Sequence, residues 1–149
     1  MTEGQNLTKS SQPNVFFYKV GSWSFILVGI GHLIGHFLTP KTSEQIEMLQ
    51  IMKEFTIVMP GTDTNLLLFY TGFSIMMGIM LISYGFINLM FLKNNKQNNV
   101  AGNQILITNT LVSLISLILA IKYFFIFPIL LMTLALTGFT LALIITYKQ

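Results

Sequence analysis

The sequence predicts an all-α protein, a membrane-embedded four-helix bundle with a short amphipathic helix in its first extramembrane loop. Hydrophobic residues make up 53% of the 149 residues and charged residues only 9%, against roughly 25% charged residues in soluble domains. The mean hydropathy is +0.71. Four apolar segments are long enough to cross a bilayer. A soluble fold of this size would have too few polar residues to cover its surface, so lipid is the expected solvent.

The polar first residues, 1–14, are predicted to form a disordered tail, and residues 15–149 a single transmembrane domain. The first span covers about 20–38, between Lys19 and Pro40. No small-residue cleavage site follows this span, which favours a retained anchor over a cleaved signal.

The segment after the first span is predicted to contain an amphipathic helix over residues 43–55. Thr42 and Gln45 have the spacing of a capping box, and the apolar residues of SEQIEMLQIMKEF alternate with charged ones at helical spacing. The helix is either a connector on the membrane surface or a lid or partner site across the bundle mouth. Pro60 and Gly61 then predict a turn, after which Asp63 or Thr64 is expected to cap the second span.

The second span is expected at about 66–91, the third at 105–121 and the fourth at 127–146. Lys122 marks a tight hairpin between the last two, and Pro128 fits the first turn of the last helix. An Asn-rich loop separates the second span from the third. Alternate sides of this arrangement carry five lysines (Lys9, Lys19, Lys93, Lys96 and Lys148) and three lysines (Lys41, Lys53 and Lys122). The positive-inside rule then predicts a multi-pass protein of the inner (cytoplasmic) membrane with both termini cytoplasmic.

Each span contains a row of small or polar residues at helical spacing, which predicts helix contacts because small residues let membrane helices approach closely. The rows are Gly21, Ser24, Gly31 and Gly35; Ser74, Gly78, Gly85 and Asn88; Asn109, Ser113, Ser116 and Ala120; and Ala135, Gly138 and Ala142. Two of these residues, Asn88 and Asn109, are expected at similar depth. They form either an interhelical clamp or part of a substrate site.

The two histidines of the chain, His32 and His36, lie one helical turn apart in the sequence GIGHLIGHF. Ionisable residues inside a membrane are candidates for function, and an i, i+4 pair can bind one metal ion or relay protons. A third metal ligand would have to come from Asp63, Met59 or the group Met76, Met77 and Met80. The alternative is a structural role, in which both imidazoles face the bundle and bond to Tyr70, Ser74 or Asp63.

Several activities lack the residues they need. There is no cysteine, which excludes thiol chemistry and disulfides. Dispersed lysines form no basic patch, which argues against nucleic acid as a partner. The two histidines share one helix, which excludes bis-histidine haem ligation between two helices. We see no phosphate loop, no nucleophile with a credible base and no intramembrane carboxylate pair, which favours a non-enzymatic protein.

The sequences GIGHLIGHFL and FTIVMPGTDTNLLLFYTGFSIMMG resemble a family of small, uncharacterised bacterial integral membrane proteins with four helices, found in spirochaetes and Bacteroidetes. The resemblance covers the first two spans. A weaker likeness to DoxX-like proteins exists at the level of architecture only. The family has no established activity, so the resemblance implies fold and membrane location alone.

Two functional hypotheses follow. The chain is either a non-enzymatic accessory or small-ligand-binding bundle, or a metal- or proton-handling membrane protein that uses His32 and His36. Its expected partners are the lipid bilayer and a second membrane protein or a second copy of itself. The sequence indicates no particular cofactor.

Overall fold

The structure is a computed structural model that describes residues 13–38, 40, 42–94 and 102–148. Its described elements are α1 (Pro13–His36), α2 (Ser43–Glu54), β1 (Thr56–Met59), β2 (Thr62–Asn65), α3 (Leu66–Asn94), α4 (Asn103–Tyr123) and α5 (Ile126–Tyr147). By length and composition, α1, α3, α4 and α5 can each cross a membrane. The predicted all-α fold with four spans is therefore confirmed at this level, with a small β-hairpin added.

Helix α1 begins earlier than the hydropathy of the sequence suggested. Pro13 opens it, as proline does readily in a first helical turn, and Asn14 is fully buried. The helix therefore includes the last two residues of the predicted tail, while residues 1–12 lie outside the described part of the chain. Tyr18, which precedes the predicted span, belongs to the core.

The bundle is built around α1 and α5. Among the described residues, close backbone packing joins α1 to α3, α1 to α5, and α4 to α5. On the fourth side of the bundle, the described backbones of α3 and α4 are therefore not closely packed against each other. We call the end that carries α2 and the hairpin the hairpin end, and the opposite end the terminal end.

Glycines form the closest helix contacts. A Cβ atom added at Gly29 would lie 2.7 Å from the carbonyl oxygen of Gly78, and one at Gly138 would lie 2.9 Å from the amide nitrogen of Gly21. Both distances are shorter than real Cβ contacts, so a side chain at either position would separate the backbones. The small residues of the predicted rows on α3, α4 and α5 are largely buried. This confirms that these rows face the interior of the bundle.

The predicted row on α1 is only half correct. Gly21 and Ser24 are buried, but Gly31 is half-buried and Gly35 is exposed. The close helix contact is made instead by Gly29, which is not part of the predicted row. A Cβ at Gly31 would meet only the ring of Phe127 and one at Gly35 would meet nothing within 4 Å, so neither glycine contacts a neighbouring backbone.

Helix α2 confirms the predicted amphipathic segment and its capping box. The Thr42 side chain accepts a hydrogen bond from the amide of Gln45, whose own side chain accepts one from the amide of Thr42. In the first turn, a backbone amide and the Thr42 side chain lower the pKa of Glu44. The apolar side of the helix stays more than half exposed at Ile46 and Ile51.

The β-hairpin was not predicted. β1 and β2 pair antiparallel around a two-residue turn in which Gly61 has a φ of 92°, a conformation that favours glycine. The β-branched run at 56–58 before Pro60 and Gly61 was the missed signal. The predicted cap of α3 was also wrong, because Asp63 and Thr64 pair within the hairpin. Asn65 caps the helix by accepting a hydrogen bond from the amide of Leu68.

Candidate functional site

A cavity of about 360 Å³ lies between the four long helices in the half of the bundle near the hairpin end. Its volume is within the range of small-molecule sites in proteins. It occupies the side of the bundle where α3 and α4 have no extensive backbone contact, and the turn between α4 and α5 closes it from one end. Its lining includes Val28, Gly31, His32, Gly35, His36, Tyr70, Ser74, Met77, Leu81, Ser116, Leu119, Ala120, Phe124, Phe125, Phe127, Pro128 and Met132.

The first polar group of the cavity is a pair formed by His32 on α1 and Ser74 on α3. The distance from His32 Nε2 to Ser74 Oγ is 3.0 Å, and which atom donates depends on the histidine tautomer. Ser74 is buried and His32 is half-buried. This contact confirms the expectation that His32 faces the bundle and bonds to a group near the start of the second span.

The second histidine, His36, lies one turn further along α1. Its ring centroid is 6.1 Å from that of Tyr70 and 5.2 Å from that of Phe37. Both imidazoles therefore line one cavity, as their spacing predicted, although His36 meets aromatic rings rather than a hydrogen-bonding side chain among the contacts described.

Two glycines between and beside the histidines shape the wall of the cavity. A Cβ at Gly31 would lie 3.0 Å from the ring of Phe127, whereas a Cβ at Gly35 would have no atom within 4 Å. Their G-x-x-x-G spacing was expected to hold a neighbouring helix close. In the structure it leaves space, since neither glycine meets another backbone.

A complete metal site does not form among the described residues, where no three His, Cys, Asp or Glu side chains converge. Of the proposed third ligands, Met77 lines the cavity. Met76 and Met80 are exposed, and so is the side chain of Asp63 on β2. The side chain of Met59 lies outside the described part of the chain. Metal binding by His32 and His36 thus stays a prediction. It requires a third ligand other than a described His, Cys, Asp or Glu side chain.

A buried network of two tyrosines and two asparagines joins α1, α3 and α4 on the terminal side of the cavity. The Tyr18 hydroxyl donates to Asn88 Oδ1 at 2.6 Å, and Asn109 Nδ2 donates to the same oxygen at 2.6 Å. The Tyr84 hydroxyl donates to Asn109 Oδ1 at 2.6 Å. The predicted contact between Asn88 and Asn109 is confirmed as an interhelical clamp.

The tyrosines of this network were missed by sequence reasoning. Tyr18 was placed outside the first span, and Tyr84 was not distinguished from other aromatic residues of α3. A signal existed, because Tyr84 and Asn88 are one turn apart and therefore share a helix face. The network bridges α3 and α4, whose backbones are not closely packed against each other.

A shallower groove runs under α2 at the hairpin end. It is lined by residues of α2 such as Met48, Leu49 and Met52, and by Leu38 and Pro40 after α1. Gly35 and Tyr70 line both this groove and the histidine cavity, so the two are adjacent.

Four long apolar helices around a polar clamp and a cavity define the class of this chain as a multi-pass helical membrane protein, by length and composition. The chain matches no protein-family model, no curated protein and no solved structure. The resemblance to the small bacterial membrane proteins accordingly stays a prediction that depends on the quoted sequence stretches.

Proposed function

We propose that the chain is a non-enzymatic membrane protein that binds a small molecule in the cavity beside His32 and Ser74. The cavity is the observation that carries this proposal, because helices packed only for stability would fill a space of about 360 Å³ with side chains. Most of its walls are apolar, with a few convergent polar groups, which is the usual composition of a ligand site.

The position of the cavity supports the same proposal. It occurs where α3 and α4 separate, between helices that are otherwise held together by glycine contacts and by the amide and tyrosine network. A ligand in that space would meet side chains from four helices. Binding sites in helix bundles are commonly built in this way, from side chains on facing helices.

Photolabelling of the purified chain in phosphatidylcholine vesicles tests the proposal. The probe is phenyl trifluoromethyl diazirine, a small apolar molecule that inserts into nearby bonds on irradiation. We expect labelling to concentrate on buried cavity residues such as Ala120 and Met132 and to saturate with probe concentration. Lipid-facing residues such as Phe86 should label in proportion to the probe concentration.

A matched pair of variants provides the control. Gly35 and Gly72 both have open space at the Cβ position, but only Gly35 lines the cavity. Gly35→Leu should therefore reduce the saturable labelling, and Gly72→Leu should leave it unchanged. Uniform labelling of the wild-type chain, or equal effects of the two substitutions, would contradict a ligand site in this cavity.

The second candidate function is metal or proton handling, which the shared location of both imidazoles favours. Metal analysis of detergent-purified protein, for the wild type and for His32→Ala combined with His36→Ala, tests it. A bound metal that is lost in an intact double variant would support this function. Metal-free wild-type protein after supplementation with zinc or copper would argue against the metal form of it.

A further inference from the structure

We propose that the ligand is a neutral, lipid-soluble molecule with a hydroxyl group, which Ser74 holds by a hydrogen bond while the serine stays bonded to His32. This inference depends on the proposed function, because it specifies the chemical class of molecule that the same cavity accepts. It follows from the charge of the walls, the surroundings of the mouth and the position of the polar pair.

The walls contain no side chain of permanent charge among the described residues, where the ionisable lining groups are two imidazoles and the Tyr70 phenol. No lysine, aspartate or glutamate is found among the described residues that line the cavity. An ion transferred from water into such a space without an opposite charge loses its hydration and gains no ion pair, which is strongly unfavourable. A neutral molecule avoids this penalty, and the rings of Phe124, Phe125 and Phe127 on one wall suit an apolar or aromatic body.

The mouth of the cavity indicates that the ligand dissolves in lipid. The lining residues Met77 and Leu119 are 41% and 48% exposed, and they lie on α3 and α4, at the side of the bundle. The surface at the side of a transmembrane bundle faces the bilayer. A molecule that already partitions into lipid can therefore reach the cavity from the side.

The polar pair selects an oxygen-bearing ligand. Nε2 of His32 and Oγ of Ser74 lie 3.0 Å apart and are bonded to each other, so the imidazole nitrogen is used and the serine hydroxyl keeps capacity for one further hydrogen bond. If Nε2 carries the proton, it donates to Oγ and the serine hydroxyl is free to donate to a ligand oxygen. If Nε2 is unprotonated, the serine donates to it and Oγ can accept from a ligand hydroxyl. A ligand hydroxyl therefore fits either tautomer. A pure hydrocarbon would bury the pair without adding any such bond.

Three photoprobes with the same reactive group test the ligand class in vesicles. They are phenyl trifluoromethyl diazirine, its para-hydroxymethyl derivative, which is a neutral alcohol, and its para-carboxyl derivative, which is an anion. Labelling of cavity residues is divided by labelling of lipid-facing Phe86 in the same sample, which corrects for partitioning. We expect this ratio to be roughly fivefold higher for the alcohol than for the phenyl probe, as one added hydrogen bond would give, and lowest for the anion.

Ser74→Ala should remove most of the advantage of the alcohol and leave the phenyl probe unaffected. Ser113→Ala is the matched control, because Ser113 is also buried but bonds to the carbonyl oxygen of Asn109 in its own helix. The comparison of the three probes on the wild-type chain remains decisive if a variant fails to fold.

The outcomes separate this inference from the proposed function. Equal ratios for the alcohol and the phenyl probe would overturn the hydrogen-bonded class while the site itself survives. A preference for the anion would overturn neutrality and indicate charge pairing with an imidazole. If no probe concentrates in the cavity, the proposed function fails, and this inference with it.

Discussion

At the residue scale, two sets of polar side chains inside the bundle have different surroundings. Tyr18, Tyr84, Asn88 and Asn109 are bonded to one another, so their polar atoms are already used. His32 and Ser74 are bonded only as a pair and border open space. In a low-dielectric interior, a satisfied network stabilises one arrangement of helices, whereas a pair beside a cavity is available to a ligand.

Substitution of Asn109 tests the structural role of the network. Asn109→Leu removes a donor to Asn88 and the acceptor of Tyr84, leaving the Tyr84 hydroxyl without its described partner. We expect the free energy of unfolding in detergent to fall by about 1–3 kcal/mol, the cost of unpaired buried polar groups. A thermal or denaturant unfolding series measures this.

The neighbouring Thr108→Val is the control for that substitution. Thr108 is exposed and its hydroxyl donates only to the carbonyl oxygen of Gln104 in its own helix. Its effect should stay within about 0.5 kcal/mol. Similar losses for both variants would show that the network contributes nothing beyond helix α4 itself.

At the element scale, the helices are held by close backbone approaches at a few glycines. A Cβ at Gly85 would lie 2.5 Å from the carbonyl oxygen of Ser22, and one at Gly138 would lie 2.8 Å from that of Phe17. Both obstacles are backbone atoms, which cannot move aside as a flexible side chain can. The glycines are therefore required by packing, although glycine by itself weakens a helix.

Alanine substitution should affect thermal stability differently at three glycines. Gly85→Ala and Gly138→Ala should lower the melting temperature in detergent, because the new methyl group collides with backbone. Gly72→Ala, where the added Cβ meets nothing within 4 Å, should leave stability unchanged or raise it by up to about 1 kcal/mol, the difference in helix propensity. A lower melting temperature for Gly72→Ala than for Gly138→Ala would contradict the packing described here.

The elements near the hairpin end show where sequence patterns were sufficient and where they were not. The capping box of α2 was predictable because its bonds join residues three positions apart. The hairpin was missed because the segment lies between two helices and its strands have only four residues each. Asn65 was missed as a cap because the start of α3 depends on where the hairpin ends.

At the scale of the whole molecule, the arrangement of α1 and α5 at the centre follows from the helix contacts and leaves α3 and α4 apart near the hairpin end. The membrane orientation of this bundle is a separate matter, decided by the charges at its ends. The lysine distribution predicts that the terminal end is cytoplasmic, which would place α2, the hairpin and the neighbouring cavity toward the outer side.

Reporter fusions test this orientation in a bacterial host. Alkaline phosphatase, active only outside the cytoplasm, and green fluorescent protein, fluorescent only inside it, are fused after Gln149 and within the Asn-rich loop at residues 95–101. Both positions should give fluorescence and no phosphatase activity. A fusion in the turn between α4 and α5, near Phe124, is the positive control for phosphatase activity. Phosphatase activity from a fusion at either cytoplasmic position would reverse or break the predicted topology.

The sequence by itself determined the properties that depend on composition and on neighbours along the chain. Hydropathy and helical periodicity are local properties of the sequence. They were therefore sufficient to predict the four apolar segments, the amphipathic α2, the turn near Lys122 and the common face of His32 and His36. The depth of Asn88 and Asn109 was also predictable, since each lies at a similar distance from a membrane boundary.

Only the tertiary structure decided which faces meet and where space remains. Gly29 rather than Gly35 contacts α3, Tyr18 and Tyr84 complete the asparagine clamp, and Phe127 lies against Gly31 to form one wall of the cavity. Small residues at helical spacing are equally able to bring two helices together or to leave a void between them. The difference depends on which residue the neighbouring helix places opposite, Gly78 at Gly29 and the Phe127 ring at Gly31, which is a property of the assembled bundle and not of any one segment.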